Sequence, residues 1–393
     1  MSYSINKVKK AGKDLIKDEN IIESLEILSH WRSCHATSLE KAYKIVQEYA
    51  PKIDASCMIA KRLKRTPSII SKLRRFKETM QLTTMQDIGG CRVVLSNMKK
   101  VEKLVKLLEK NKYFELRNNY IKSPKQDGYR SIHLIGKFKN HNNIDKYIEL
   151  QVRTKIQHYW ATAIEIVDLF TKQSIKTNEG DKAWSELFRL LSKNFVYFDQ
   201  NPYINSGEGK SQQKLNKKDL MVFESLYRNI NNNLNNDTIK ELDEIEKLAI
   251  KLEIVKKFKL FAKSIQIANN DLTKNHHMIP EDGYVLISVE QDNETNFIMN
   301  NYYYHKHEFD SATKDYLELE TKSIKNNSFI NNRIVTVLVS TTAVGGIKEA
   351  YPNYFADSEQ FMKQVEMLLE VNKLLKRNMP IFKRLFSKGF RIY

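Results

Sequence analysis

Four short segments of this chain combine charged, aromatic and turn-forming residues in patterns that suit phosphate chemistry. They are residues 62–72 (RLKRTPSIISK), 86–92 (QDIGGCR), 123–133 (SPKQDGYRSIH) and 149–154 (ELQVRT). Clustered Lys and Arg side chains can bind a polyphosphate, because they neutralise its charge and donate several hydrogen bonds. The second and fourth segments each place a carboxylate beside a strand, and converging carboxylates are the oxygen ligands that phosphate-bound Mg²⁺ prefers. This combination predicts a site for phosphoryl-type transfer, which depends mainly on positioning and charge neutralisation.

Each segment taken alone also has an ordinary structural interpretation. The cations of residues 62–72, at near-helical spacing, could form a solvated face, and an Asp at a strand edge is often a cap or a turn. Tyr129 follows a tight Asp-Gly turn and could stack on a base, but a single tyrosine is more often a packing residue. The GxxxxGK[ST] loop of many nucleotide-binding proteins does not occur in the sequence.

Together and in this order, the segments resemble the synthetase domain of the RelA/SpoT alarmone-synthetase family over residues 20–170. The patterns RxKxxxSIxxK, DIxGxR, PKxxGYRSxH and ExQxRT carry the resemblance. It implies an enzyme that uses Mg²⁺ and transfers the β,γ-pyrophosphate of ATP to a ribose 3′-hydroxyl. Asn119 departs from the family pattern, which has Asp before the residues equivalent to Tyr120 and Ile121, and the role of this position is therefore left open.

The resemblance also implies roles for individual residues. The residues expected to bind ATP are Arg62, Lys64, Ser68, Lys72 and Arg92. The two arginines would enclose the adenine, and the two lysines would hold the phosphates. Asp87 and Glu149 would bind Mg²⁺, although Glu149 could instead act as a general base.

The acceptor side of the site is expected in the third and fourth segments. Tyr129 would stack on the acceptor base. The predicted catalytic residues are Asp87, Glu149, Tyr129 and His133. The other residues expected to orient the acceptor are Lys125, Arg130, Gln151 and Arg153. Arg153 could equally pair with a structural carboxylate, because it lies within a predicted strand.

A further set of segments resembles the CapRel group of fused toxin and antitoxin proteins. These are residues 28–35, 85–92, 160–165 and 350–357, the last of which (AYPNYFAD) contains a YxxY element with Tyr351 and Tyr354. In that group a pseudo-zinc-finger domain inhibits a toxic synthetase by placing its tyrosines in the ATP site. Tyr351 and Tyr354 would lie on one side of a helical turn, although two such tyrosines can also be packing residues.

The CapRel resemblance implies an acceptor and a trigger. The acceptor would be the 3′-terminal adenosine of tRNA, so that the reaction inhibits translation, and a phage major capsid or other structural protein would release the inhibition. Two alternatives stay open: a (p)ppGpp or (p)ppApp synthetase that uses free nucleotides, and a noncatalytic RNA-binding or phage-sensing module.

Hydrophobic periodicity divides the chain into three parts and predicts an α+β protein. Residues 1–175 are expected to form the synthetase domain, a mixed, nucleotidyltransferase-like sheet flanked by helices. Residues 176–275 would be a helical connector, and residues 276–393 a small α+β regulatory domain that the resemblance makes pseudo-zinc-finger-like. The first 80 residues are predicted to be helical. Strands are predicted at 91–95, 131–135, 147–152, 284–290, 297–304 and 334–340, and later helices at 155–170, 311–321 and 358–376.

Composition adds weaker expectations. The net charge of +18 indicates attraction to polyanions such as RNA, although a Lys- and Asn-rich chain can also reflect genome composition. The basic residues between 373 and 391 could likewise hold tRNA or line a solvated helix. Cys34, Cys57 and Cys91 have no CxxC spacing, and the histidines lack zinc-site spacing, so we expect a reducing cytoplasm and no zinc. No apolar stretch approaches the roughly 20 residues of a membrane span, and no membrane association is expected.

Overall fold

The computed structural model describes residues 3–64, 66–171, 182–200, 217–233, 235–255, 257–258, 283–291, 297–325, 334–340 and 354–376. The α-helices are α1 (Ile5–Lys17), α2 (Ile21–Ser33), α3 (Ala36–Ile53), α4 (Thr66–Arg75), α5 (Met98–Lys110), α6 (Lys155–Thr171), α7 (Lys182–Asn194), α8 (Val196–Asp199), α9 (Lys217–Asn232), α10 (Asn236–Lys251), α11 (Phe309–Lys325) and α12 (Tyr354–Lys376). The strands are β1 (Met58–Leu63), β2 (Gly89–Leu95), β3 (Glu115–Asn119), β4 (Ile132–Lys139), β5 (Asp145–Thr154), β6 (Gly283–Gln291), β7 (Phe297–His305) and β8 (Ile334–Ser340). Within these residues, no helix is long and apolar enough to cross a membrane.

A five-stranded sheet lies at the centre of the first 171 residues, in the order β1-β2-β5-β4-β3. Strands β2 and β5 are parallel, and every other neighbouring pair is antiparallel. The sheet is therefore mixed, which confirms the predicted α+β class for this part of the chain. The parallel pair at its centre brings the second and fourth sequence segments side by side.

One face of this sheet is apolar and carries a core. Cys91 and Val93 of β2 lie on this face together with Leu150 and Val152 of β5, because alternate residues of a strand point to the same side. Helices α3 and α5 cover these side chains. The opposite face is left for polar residues, which include those of the sequence segments.

Two short edge strands contradict the sequence prediction. Residues 58–63 form β1 within the region predicted to be all helical, and β3 was not predicted at all. Both lie at the ends of the strand order, and their side chains are mostly exposed or half-buried. An edge strand with few buried residues has no strong hydrophobic alternation to detect. As a consequence, Arg62 lies in a strand and Lys64 just after it, so the predicted near-helical spacing of these cations is wrong.

The helices after the sheet share one core with the last described helix. Helix α12 packs against α6, α9 and α10, and Phe361 of α12 stacks on Phe188 of α7 at 5.6 Å between ring centroids. The sequence analysis assigned α12 to the C-terminal domain and α7 to the connector. The predicted boundaries at 175 and 275 stay predictions, but α12 is part of the helical core rather than of the second sheet.

A second, three-stranded sheet lies near the C-terminal end. Its order is β7-β6-β8 with antiparallel pairing throughout, and α11 packs against it through Ala312 and Tyr316. The strands and helices of this region lie within a few residues of the predicted positions. The centroid of the Tyr316 ring also lies 5.8 Å from the Arg32 guanidinium carbon, and α11 contacts α4. The small unit is therefore in contact with the synthetase part of the chain.

We expect Phe361→Ala to lower the free energy of unfolding by about 3–5 kcal/mol, the usual loss for a buried aromatic residue. The Phe361 side chain is fully buried and also contacts the rings of Phe195 and Phe258. Chemical denaturation measures the change. Ile250→Ala, at a position 73% exposed on α10, is the control and should change stability by less than about 0.5 kcal/mol. Equal stabilities for the two variants would contradict the packing of α12.

Candidate active site

The polar face of the five-stranded sheet carries residues from all four segments. One row of paired residues across the sheet contains Arg62, Gly90 and Glu149. The next row contains Ala60, Arg92, Gln151 and His133. Because alternate residues share a face, the side chains of Arg92, Glu149 and Gln151 lie on the same side of the sheet. The strand register thus assembles residues that are far apart in the sequence.

Asp87 lies in the loop before β2, where two predicted phosphate ligands meet it. Its Oδ2 accepts hydrogen bonds from Lys64 Nζ at 3.0 Å and from Lys72 Nζ at 2.8 Å. Burial raises the pKa of Asp87, but the two ammonium groups outweigh this effect and hold the pKa below its ordinary value. Asp87 is therefore ionised at neutral pH, with a positive charge on each side.

The two predicted metal ligands are electrostatically coupled. Burial and the charge of Asp87 both raise the pKa of Glu149, yet hydrogen bonds from His133 and Gln151 keep it below its ordinary value. Asp87 Oδ1 is buried and has no hydrogen-bond partner among the described residues. An unused carboxylate oxygen beside a second ionised carboxylate fits a Mg²⁺ ion, whose remaining ligands would be phosphate oxygens and water. The described residues contain no group of three or more His, Cys, Asp or Glu that could hold a metal ion by itself.

A chain of hydrogen bonds connects Glu149 to the predicted acceptor side. Glu149 Oε1 accepts from His133 Nδ1 at 3.0 Å, and Glu149 Oε2 accepts from Gln151 Nε2 at 2.7 Å. In the tautomer that carries its proton on Nδ1, His133 can accept at Nε2 from the Tyr129 hydroxyl, which lies 2.9 Å away. Burial raises the pKa of Tyr129, so its hydroxyl stays protonated and can donate. The chain fixes the orientation of three predicted site residues.

Aromatic rings and a lysine surround the end of this chain. The Tyr120 ring meets those of Tyr129 and His133 edge to face, at 6.0 and 5.1 Å between centroids. Lys125 Nζ lies 4.6 Å from the Tyr120 ring and 4.9 Å from the Tyr129 ring. Desolvation lowers the pKa of Lys125, although the nearby carboxylates of Asp127 and Glu149 act in the opposite direction. A flat base and its phosphates would find both stacking surfaces and a cation here.

The remaining predicted ATP ligands come from β1, β2 and α4. Arg62 is exposed on β1, Arg92 is half-buried on β2, and Ser68 lies in the first turn of α4. Arg92 Nε is buried and has no hydrogen-bond partner among the described residues. These positions lie near Lys64 and Lys72 in the fold, as one nucleotide-binding region would require.

Two residues predicted to bind the acceptor make hydrogen bonds within the protein, and one of them, Arg153, is buried. Arg130 donates from Nη1 to the Ile121 carbonyl at 3.0 Å and from Nε to Ser192 Oγ at 3.2 Å. Arg153 is only 2% exposed, and its Nη2 lies 2.5 Å from His158 Nδ1. Burial and the nearby charge of Arg92 lower the pKa of Arg153 to about 9. For Arg153 this placement favours the structural alternative left open by the sequence.

Arg153 belongs to a buried polar cluster that includes a residue of α12. His158 Nε2 lies 3.1 Å from Asp357 Oδ2, and both side chains are almost fully buried. Burial raises the pKa of Asp357 to about 7, while the charges of Arg153 and Arg92 lower it. The carboxylate of Asp357 is therefore within electrostatic reach of Arg92, a predicted ATP ligand. Tyr354 is the first residue of α12, and Tyr351 lies outside the described residues.

Sequence reasoning missed several residues that shape the site. Arg32 donates to the Lys64 carbonyl at 2.9 Å and to Thr66 Oγ1 at 3.2 Å, which fixes the turn between β1 and α4. Tyr120 could have been found, because it directly follows Asn119, where the sequence departs from the family pattern. The Asn119 side chain accepts from the backbone N–H groups of Ile121 and Lys122, both at 3.1 Å. Asn119 therefore serves as a turn residue in this chain, a role that Asp performs equally well.

We expect Lys72→Met to destabilise the protein more at neutral pH than at low pH. The pKa of Asp87 is depressed in the folded state, so its pairing with Lys72 stabilises the fold above the unfolded pKa of about 3.9 and is lost as the pH falls through the folded value. Thermal unfolding of both proteins between pH 3 and pH 7 measures the difference. Lys77→Met changes an exposed side chain and is the control. The difference in stability between this variant and the wild type should not vary with pH. A constant difference for Lys72→Met would contradict the pairing.

Comparisons with known proteins agree with this geometry. Residues 61–168 match a family model described as "Region found in RelA / SpoT proteins". The GTP pyrophosphokinase YjbM of Bacillus subtilis is 29% identical over 128 residues, which are 31% of this chain and 61% of that protein. The GTP pyrophosphokinase YwaC of the same organism is 32% identical over 112 residues, 26% of this chain and 52% of that protein. The chain thus spans between half and two thirds of the length of these curated relatives.

Among solved structures, the crystal structure of the small alarmone synthetase 1 from Bacillus subtilis bound to its product pppGpp is similar to this chain. It has 21% sequence identity and a TM-score of 0.36, with 42% of this chain and 89% of that chain covered. All four sequence segments, from Arg62 to Thr154, fall inside the matched residues 61–168. The candidate active site therefore lies within a region of the kind found in RelA / SpoT proteins.

Proposed function

We propose that this protein is an ATP-dependent pyrophosphokinase of RelA/SpoT type, which transfers the β,γ-pyrophosphate of ATP to a ribose 3′-hydroxyl. The observation that carries the proposal is that Asp87, paired with Lys64 and Lys72 in the loop before β2, lies within electrostatic reach of Glu149 on the polar face of the sheet. The names of the two relatives, both GTP pyrophosphokinases, support the same reaction type.

One group of residues would bind ATP, the donor of the pyrophosphate. When ATP binds, Lys64 and Lys72 would donate hydrogen bonds to its phosphates in place of Asp87. Arg62 and Arg92 would enclose the adenine. Mg²⁺ held by Asp87 and Glu149 would neutralise the charge that develops on the transferred phosphates.

The chemical step forms one bond and breaks one. The 3′-oxygen of the acceptor attacks the β-phosphorus, the bond from that phosphorus to the bridging oxygen breaks, and AMP leaves with the electron pair. The forming bond makes the hydroxyl acidic, so the Glu149 carboxylate can accept its proton in spite of its low pKa. His133 and Gln151 hold Glu149 in position for this step.

For the acceptor we propose the 3′ end of tRNA, so that the reaction inhibits translation. The net charge of +18 supports a polyanionic partner, and the Tyr120, Tyr129 and Lys125 group offers stacking and a cation for a terminal nucleoside. Incubation of the protein, and of a variant freed from the proposed inhibition by Tyr351→Ala and Tyr354→Ala, with γ-labelled ATP and either tRNA or free GDP, GTP and adenine nucleotides decides between acceptors. Label found only in free nucleotides would exclude the tRNA proposal and favour an alarmone synthetase.

We expect Asp87→Asn and Glu149→Gln each to reduce pyrophosphate transfer at least about 100-fold, because each removes one charged ligand near the transferred phosphates. Transfer of label from ATP to the preferred acceptor measures the effect in a chain that also carries Tyr351→Ala and Tyr354→Ala, so that the proposed inhibition is absent. Asp145→Asn replaces an exposed carboxylate that pairs with Lys137, and it should leave the rate unchanged. Full activity or full toxicity of Asp87→Asn would instead indicate a noncatalytic binding module.

We further propose that the C-terminal part of the chain inhibits the synthetase and that a phage structural protein releases it. Two contacts support the inhibition. Asp357 of α12 reaches the charges of Arg92 and Arg153, and α11 contacts α4, the helix that carries Ser68 and Lys72. Two elements of the C-terminal part therefore lie near residues predicted to bind ATP: α11 near α4, and α12 near Arg92. The identity of the phage protein stays a prediction from the sequence.

We expect the double variant Tyr351→Ala, Tyr354→Ala to inhibit growth when expressed, because the proposed block of the ATP site would be lost. Growth rate and incorporation of labelled amino acids measure toxicity, with protein levels matched to the wild type. Tyr302→Ala changes an exposed tyrosine of β7 and is the control, which should stay harmless. Harmless expression of the double variant would contradict inhibition by these tyrosines.

A further inference from the structure

The loop that carries Tyr129 and Lys125 depends on a helix outside the matched region. Residues 123–131 connect β3 to β4 and turn tightly, with Gly128 N donating to the Lys125 carbonyl at 2.9 Å and Tyr129 N donating to Asp127 Oδ1 at 2.8 Å. Gly128 has a φ of 93°, a conformation that favours glycine. These hydrogen bonds shape the turn. Tyr129 and Ser131 attach its end to the sheet through His133 and the Val152 carbonyl, and the turn has a separate attachment at Gly128 and Arg130.

Helix α7 provides that attachment through one buried serine. Ser192 Oγ donates to the Gly128 carbonyl at 2.5 Å and accepts from Arg130 Nε at 3.2 Å. A Cβ atom added at Gly128 would lie 2.9 Å from Ser192 Cβ and 3.2 Å from Arg189 Cα, so the turn rests directly on the helix. Ser192 is 4% exposed, and its hydroxyl joins the residues on both sides of Tyr129.

Helix α7 is itself firmly held. Trp160 Nε1 of α6 donates to the Phe188 carbonyl at 2.8 Å, and the Phe188 ring stacks on Phe361 of α12. The Ser192 contact therefore ties the acceptor loop to the shared core of the helices. Residues 61–168 alone, the matched region, contain neither Ser192 nor Phe361.

We propose that Ser192 is a positioning residue: through Gly128 and Arg130 it holds the loop so that Tyr129 and Lys125 face the incoming acceptor nucleoside. The expected effect on acceptor kinetics rests on the proposed function. The expected effect on the hydrogen exchange of the loop does not, and it can be measured by itself. Ser192 contacts neither the carboxylates nor the lysines of the ATP region among the described contacts. Its loss should therefore affect the acceptor and leave ATP binding intact.

The first test is hydrogen exchange of the full-length protein over residues 123–133. Ser192→Ala should raise the exchange of these amides at least about fivefold, and Gly128→Ala should act in the same direction because its added Cβ meets Ser192. Ser38→Ala is the matched control: Ser38 is fully buried and donates to the Phe138 carbonyl at 2.9 Å, away from the loop. Unchanged exchange over 123–133 in Ser192→Ala would overturn the proposal.

The second test uses the transfer reaction, in the chain made active by Tyr351→Ala and Tyr354→Ala. Ser192→Ala should reduce kcat/KM for the acceptor about tenfold, while the KM for ATP and the affinity for a nonhydrolysable ATP analogue stay within about twofold. Equal losses toward ATP and acceptor, or an equal loss in Ser38→Ala, would show a general effect on folding and overturn the proposal. If the unmodified site transfers no pyrophosphate to any acceptor, the proposed function fails, and hydrogen exchange still decides whether Ser192 positions the loop.

Discussion

The site depends on keeping two ionised carboxylates close together in a half-buried position. Burial favours protonation of both Asp87 and Glu149, and the charge of Asp87 favours it further at Glu149, which would weaken the carboxylates as ligands. Lys64 and Lys72 oppose these effects at Asp87, while His133 and Gln151 oppose them at Glu149. The compensating groups come from β1, α4, β4 and β5, so the charge balance exists only when the whole sheet has formed.

Much of this arrangement could be predicted from the sequence. The central strands alternate strongly between buried and polar residues, and the four segments follow one another at strand ends and turns. Their resemblance to the RelA/SpoT family implied that Asp87, Glu149, Lys64 and Lys72 would belong to one site. The register that places Arg92 beside Gln151 could not be predicted, because it depends on pairing between strands that are about 60 residues apart in the chain.

The errors have physical causes. Strand β1 is short and lies at an edge, so its sequence lacks the alternation that identifies a buried strand. Arg153 has the same side-chain chemistry as the exposed arginines, and only its packing beside His158 of α6 determines that it points inward. Asp357 was not predicted to matter at all, since its partners His158, Arg153 and Arg92 are around 200 or more residues away.

The position of α12 constrains how such a chain can change during evolution. Seven of its apolar side chains complete the core formed by the helices that follow the first sheet: Phe361, Met362, Val365, Met367, Leu368, Val371 and Leu374. A gene that ended before this helix would encode α6, α7 and α10 with their inner faces exposed to water, and those faces would aggregate or unfold. Synthetase and C-terminal helix must therefore be inherited as one polypeptide, and separation into two genes would require a new surface on each product.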